Sequence, residues 1–532
     1  MTAPTTTRQP RVRARRAGFG ALLRAEWTKF RTVRGWTIGM IVAVLVTAGI
    51  ALLDHSSCGG VTAPGGADVP GTGCSAPVGP DGKAVTDAFS FVHRRLDGDG
   101  DITVRMASLI GGRGPAGLQP WSKAGLIVKA GTRPGSAYAA LIVTAGHGVR
   151  MQYDYTGDIK APPGAVTAAA APRWLRLVRS GDAITGYQSA DGVRWSAAGT
   201  VRLHGLPPTV QAGMFATSPA SAQGGSTQDG STQDGSAQGG SAQSLGGSGG
   251  SGARTLATAR FDHIGLRGAW PPGAWTGTQV GGRPSPDTGF RQAAGTVTVT
   301  GSGDIAPYVP AVDGGGVAVE RTLLGAFGGL IAVIVVAALF MTAEHRRGLL
   351  RVTFTAVPGR GRVLAAKAIV IGSVTFVAGL AGSTAAVLLG ERLLRSNGDF
   401  VLPAGTFTEI RAVAGTAALL AVAAVLALAV GTILRHGAGA VTAVVTVMVV
   451  PYFFASPLSV LPAGVADWLL RVTPAAAFAV QQTTPRYPQV SAPYTPGNGY
   501  FPLPPWAGFA VLCGYTVLAL GLATVLLRRR DA

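Results

Sequence analysis

Trp36-Thr-Ile-Gly-Met-Ile-Val-Ala-Val-Leu-Val-Thr-Ala-Gly-Ile-Ala-Leu-Leu53 is an apolar run without a charged residue. A helix crosses the hydrocarbon core with about 20 such residues. Working outward, residues 54–321 contain no second run of this kind, and five more crowd the C-terminal part near 322–341, 365–390, 413–434, 438–461 and 506–527. The spacing predicts a six-span helical membrane body with one large module between the first and second spans. No small-residue cleavage pattern follows the first run, so it reads as a retained span and not a leader.

Only 13% of the 532 residues are charged, against about a quarter in soluble domains. The net charge of +20 raises nucleic acid as a partner, but the placement of the basic residues argues against it. Arg8, Arg11, Arg13, Arg15, Arg16, Arg24, Lys29, Arg31 and Arg34 precede the first span, against the single acid Glu26. Arg346, Arg347, Arg351, Arg360 and Arg362 follow the second, and Arg528, Arg529 and Arg530 close the chain. Basic flanks face the cytoplasm. Six crossings put all three segments there, which predicts a multi-pass plasma-membrane protein with both termini inside and residues 55–320 outside. Cys58 and Cys74 then lie in an oxidising compartment and are expected to form a disulfide. Cys513, within the last span, reads as a small apolar residue.

The domain plan follows from composition. A basic tail (1–17) leads to an interfacial helix and the first span (18–54), then a Gly/Pro-rich stalk (55–87). Short alternating segments at 102–106, 149–153, 174–178, 183–187 and 258–264, and a weaker one at 139–144, are separated by Gly- and Asp-rich turns. That pattern predicts an antiparallel β-sandwich over 88–268. Leu175 and Leu177 face one side of their strand, Trp174, Arg176 and Val178 the other. A Gly/Ser/Gln low-complexity insert (219–253) cannot bury apolar area, and 269–319 reads as a linker to the remaining spans, 320–532.

Within the sandwich, Trp121-Ser-Lys-Ala-Gly-Leu-Ile-Val128, Gly135-Ser-Ala-Tyr138, Pro172-Arg-Trp-Leu-Arg-Leu-Val-Arg-Ser-Gly181 and Ser189-Ala-Asp-Gly-Val-Arg-Trp195 resemble concanavalin A-like lectin/glucanase (laminin G-like) jelly rolls. The family's hydrolases carry a Glu-x-Asp-x-x-Glu run that supplies their two carboxylates. Residues 55–310 contain no Glu, so hydrolase chemistry is not expected. Asp97-Gly-Asp-Gly-Asp101 has Ile102 and Ser108 where a calcium loop needs Gly and Glu; it reads as a hairpin turn, and no metal is expected. Trp121, Tyr138 and Trp195 suit stacking on sugar rings, although in a sandwich of this type a buried core aromatic is the commoner role.

Residues 21–34 place Leu22, Leu23, Trp27, Phe30 and Val33 on one broad helical face, with Arg24, Lys29, Arg31 and Arg34 mostly off it. This predicts an amphipathic interfacial helix. With the basic–apolar segment 341–367 it resembles the permease subunits of ABC-2 type transporters. There an elbow helix with an acid and a Trp, matched by Glu26 and Trp27 beside Lys29 and Arg31, leads into the first span. A Glu-x-Arg-x-Gly coupling helix after the second span, matched by Glu344, Arg346 and Gly348, docks on the ATPase. The long segment between the first two spans departs from the family.

The resemblance implies an exporter permease with no cofactor of its own and no catalytic residue, its extracytoplasmic lectin-like module binding glycan, substrate or a partner protein. ATP and magnesium belong to a separate ABC ATPase, because no Gly-x-x-x-x-Gly-Lys-Ser/Thr loop occurs here. It also implies a second permease copy, identical or not. Glu344 would accept from the ATPase groove, and Arg346 or Arg347 would meet its acidic rim; plain lipid anchoring is the alternative for both arginines. The span cores read as free of ionisable residues, which argues against proton or sodium coupling, and 463–480 is expected to dip back into the membrane. The other reading is a non-transporting, membrane-anchored protein that binds or senses cell-wall glycan.

Overall fold

The computed structural model describes residues 18–52, 76–112, 117–162, 172–221, 253–282, 285–310, 316–346, 359–455, 462–492 and 494–530. Cys58 and Cys74, and with them the expected disulfide, lie outside these residues.

Eight α-helices are described: α1 (Phe19–Thr32), α2 (Arg34–Ala51), α3 (Ala326–Arg346), α4 (Arg360–Ser396), α5 (Thr406–Leu434), α6 (Gly437–Phe454), α7 (Ala463–Val472) and α8 (Pro505–Arg530). All but α1 and α7 are long and apolar enough to cross a membrane, α3 together with the 3-10 turn before it. Small residues let these helices meet backbone to backbone. A Cβ on Gly329 of α3 would sit 2.1 Å from Thr47 Oγ1 of α2, a hydroxyl that already donates to the Ala43 carbonyl at 2.7 Å.

Helix α1 buries Leu22, Glu26 and Phe30, an i, i+4, i+8 stripe. Leu22 and Phe30 of the expected apolar face are packed inside the chain, with Glu26 between them. Trp27 and Val33 are exposed, and the acid sits at the centre of the packed face because it has charged partners there.

The strands come between α2 and α3 in the chain. They form two seven-stranded antiparallel sheets and a small pair. The first sheet runs β13 (Thr276–Val280), β2 (Phe89–Asp97), β11 (Thr209–Thr217), β4 (Lys123–Lys129), β5 (Tyr138–Thr144), β6 (Gly148–Tyr153), β7 (Gly157–Lys160). The second runs β10 (Ser196–Arg202), β9 (Ala183–Ser189), β8 (Arg173–Ser180), β3 (Gly100–Gly111), β12 (Ala257–Gly268), β15 (Thr296–Gly301), β14 (Gly289–Ala293). Val104, Leu126, Leu141, Met151, Leu175, Leu177, Met214 and Phe261 fill the space between them, as the alternation along 174–178 predicts.

The small pair, β1 (Val85–Asp87) with β16 (Ile305–Pro307), covers the other face of the first sheet. Val85 and Ile305 close a second core over Phe89, Phe91, Ile127, Tyr138, Ile142, Tyr155 and Phe215. Two boundaries are thereby corrected. Residues 269–319 are no plain linker: they supply β13 to β16, three of which complete the two sheets. The end of the presumed stalk supplies β1.

The sandwich rests on the helical body. Ala306 and Val309 pack with Val490 and Tyr500 of the segment before α8, and Gln489 Nε2 donates to the Thr156 carbonyl at 3.3 Å.

Candidate functional site: a closed ring of buried charge

Helices α1, α3 and α4 converge on four charged side chains. Lys367 Nζ, on α4, lies 2.7 Å from Glu26 Oε2 of α1 and 2.8 Å from Glu344 Oε1 of α3. Lys29, one turn after Glu26, closes the circuit, at 2.7 Å from Glu26 Oε1 and 3.3 Å from Glu344 Oε1. Charges alternate around the ring and sum to zero. The side chains of Glu26 and Lys367 are fully buried, and Lys29 alone reaches solvent appreciably, at 38% exposure. Burial pulls the Lys29 ammonium down, but the two carboxylates outweigh it and hold it above its ordinary value.

Aromatic rings roof the ring of charge. Lys367 Nζ stands 4.4 Å from the centre of the Phe340 ring, which packs edge-on against Trp36 at 4.9 Å and Phe30 at 5.9 Å. The cluster thus fastens the helix before the first span, the end of the second and the start of the third. Glu344 Oε2 is buried and carries no hydrogen bond among the described residues.

Sequence reasoning named Glu26, Lys29 and Glu344 separately and missed that they meet. It counted Lys367 only as the end of the basic cytoplasmic segment 341–367 and gave it no role, although the residue is buried inside α4. A signal existed, since Lys367 is the only lysine after residue 160, set in an apolar run in a chain that otherwise flanks its later spans with arginine. The picture of Glu344 reaching out to an ATPase groove is corrected as well. Its side chain is 6% exposed and turned inward, where two ammonium groups compensate it. Arg347 and Gly348 lie outside the described residues, and of Arg346 only the helical backbone is described. Arg31 stays on the exposed side of α1.

The sugar-stacking trio does not assemble. Tyr138 is 1% exposed beneath β1 and β16. Trp121 is 5% exposed, stacked on His147 at 3.9 Å with the Arg150 guanidinium 5.5 Å from its ring. Trp195 is half-buried after the Asp191 turn. Tyr138 is a core aromatic of the covered sheet face, whereas Trp121 is closed off by the side chains of His147 and Arg150.

Residues 208–532, more than half of the chain, match the family model described as ABC-2 family transporter protein. The chain belongs to the ABC-2 transporter family. As a member it is a membrane component of a transport system. The match spans five of the six long helices and the later strands of the sandwich, whereas Glu26 and Lys29 precede it. No curated protein matches the chain. Among solved structures it is similar to a functionally unknown protein from Saccharomyces cerevisiae, at 13% identity and TM-score 0.16 over 24% of this chain and 63% of the other. It is also similar to the GH43 protein BlXynB from Bacillus licheniformis, at 16% identity and TM-score 0.17 over 22% and 24%. The peptidase SCP-B of the Eqolisin family matches at 7% identity and TM-score 0.24 over 41% and 98%. The chain spans less than two thirds of the first two, and at these scores the likenesses carry no argument about function.

Proposed function

We propose that this ABC-2 family member is the permease subunit of an exporter, driven by a separate ATPase chain and paired with a second permease copy. The sandwich is its extracytoplasmic module, inserted between the first and second spans. The observation that carries the reading is the buried ring. It ties α1, whose basic flanks favour the cytoplasmic face, to the last turn of α3 and the first turns of α4. These two ends bracket the 347–358 segment, where the ATPase would dock. A push on that segment is passed through Lys367 to two spans and the elbow at once. Glu344 acts inside this linkage, not as a docking side chain.

The outer module works as a fixed part of the permease, because its last strand and the segment before α8 share one apolar core. Sugar binding through Trp121 and Tyr138 finds no support in their burial.

The test is purification of the tagged full chain from its native membranes in mild detergent, with co-purifying chains identified by mass spectrometry. A stoichiometric soluble chain bearing a phosphate-binding loop is the expected result. A chain that purifies alone, or with cell-wall polymer only, overturns the proposal.

A further inference from the structure

Beneath β1, at the heart of the covered sheet face, an amine and a carboxyl meet with no water between them. Lys129 Nζ of β4 lies 2.7 Å from Asp87 Oδ2 of β1, and both side chains are fully buried. Burial outweighs the attraction of Asp87 and Asp154 and lowers the Lys129 ammonium below its ordinary value, so the free amine is within reach. Asp87 Oδ2 also accepts from the Gly135 N–H at 2.8 Å and the Tyr155 hydroxyl at 2.7 Å. Asp87 Oδ1 is buried and has no hydrogen-bond partner among the described residues. A simple ion pair leaves that second oxygen unexplained, since an orphaned buried carboxylate oxygen is costly.

We propose that Lys129 and Asp87 condense into a side-chain amide that locks β1 to β4 covalently. The geometry supplies each part of the step. The ammonium first passes one proton to the carboxyl, where it comes to rest on Oδ1, leaving a desolvated amine beside the acid. The nitrogen lone pair attacks Cγ and the C–N bond forms. Oδ2 takes the negative charge between the Gly135 N–H and the Tyr155 O–H, two donors already aimed at it. A second proton moves from nitrogen to Oδ1, the C–Oδ1 bond breaks, and one water leaves. The ammonium and the carboxylate thus become an amide and a water, with no oxidant, reductant or co-reactant. The product satisfies the site better than the pair did. The unpartnered oxygen is gone, Oδ2 remains as a carbonyl with two donors, and the one remaining N–H points to the Ser136 carbonyl, 2.9 Å from Nζ.

A second pair on the same face provides an internal comparison. Lys123 Nζ lies 2.6 Å from Asp304 Oδ1. That oxygen also accepts from the Ile305 N–H at 2.8 Å, and the Asp304 side chain is 10% exposed.

The test is mass spectrometry of the full chain, purified, reduced and digested. The expected result is a branched peptide joining Lys129 to Asp87, lighter than its two parts by one water, while Lys123 and Asp304 appear in linear peptides. Lys129→Arg keeps the positive charge but removes the nucleophilic amine, and must abolish the branched species. Recovery of Lys129 and Asp87 only in linear peptides of full mass overturns the proposal. So does a water loss that maps within one linear peptide, as an Asp imide would.

Discussion

Replacing Lys367 with Met tests the charge ring most directly. The substitution keeps an unbranched chain of similar length and removes the ammonium that both buried carboxylates share. Glu26 and Glu344, with side chains 0% and 6% exposed, are then left with Lys29 alone, which already contacts both. Breaking a buried pair by removing one partner costs about 3–5 kcal/mol, because a charge stays buried without compensation. Lys29 remains to offset part of this, so a loss of about 2–4 kcal/mol is expected for Lys367→Met. The loss must also be non-additive. With Glu26→Gln already in place, Lys367→Met removes less, and the two should couple by at least about 1 kcal/mol, as side chains within one network do. The assay is denaturant titration of the full chain in mild detergent, followed by tryptophan fluorescence. Trp36 reports the site, since it packs on Phe340 directly beneath the Lys367 ammonium. A single-variant loss below about 1 kcal/mol, or losses that simply add, would refute the claim that the four charges act as one buried unit.

The Arg105–Asp262 pair on the open face of the second sheet has two bonds of 2.7 Å. The arginine, ahead of desolvation, holds the Asp262 carboxyl down to about 2. A carboxyl lowered on folding contributes stability above its unfolded value and loses it as the pH falls through the folded one. Asp262→Asn should therefore cost about 1 kcal/mol at neutral pH, discounted because Arg105 is 36% exposed, and nothing below pH ~2. Thermal melts of the two proteins at both pH values decide it, and an equal cost at both would sink the assignment. Gly329→Ala places a methyl against Thr47 Oγ1 and should cost about 1–3 kcal/mol, as overpacking does. Thr47→Ala in the same chain should recover part of it, measured as heat-resistant monodisperse protein in detergent. A neutral Gly329→Ala would mean that α2 and α3 are not held this close.

The long helices were legible because an apolar run of span length has few other readings. Strands 174–178 and 183–187 were legible because one face is wet and the other dry. Segment 139–144 alternates weakly, and the structure gives the reason. Both faces of β5 are buried, one by the second sheet and one by β1 and β16, so no polar face exists to set the period. The mistaken linker has the opposite cause. β13 and β14 stand at sheet edges with largely exposed residues and carry almost no apolar signature, although Val297 and Val299 of β15 do alternate into the core. The charge ring was half legible. Its acids were visible as lone carboxylates among arginines, but a closed circuit of four charges from three distant segments depends on how the helices cross, which no local pattern encodes.

The first and last strands of the sandwich module are hydrogen-bonded neighbours, Val85 opposite Pro307 and Asp87 opposite Ile305. A folded unit whose two ends emerge side by side asks almost nothing of the chain that hosts it, since a short gap can be bridged at either end without moving what lies beyond. Such a unit behaves as a cassette. It can be gained, exchanged or lost in one recombination event with the small contact through Val490 and Tyr500 to be remade on the helical side, so relatives with the same membrane body and unrelated inserted modules are the expected products of that architecture.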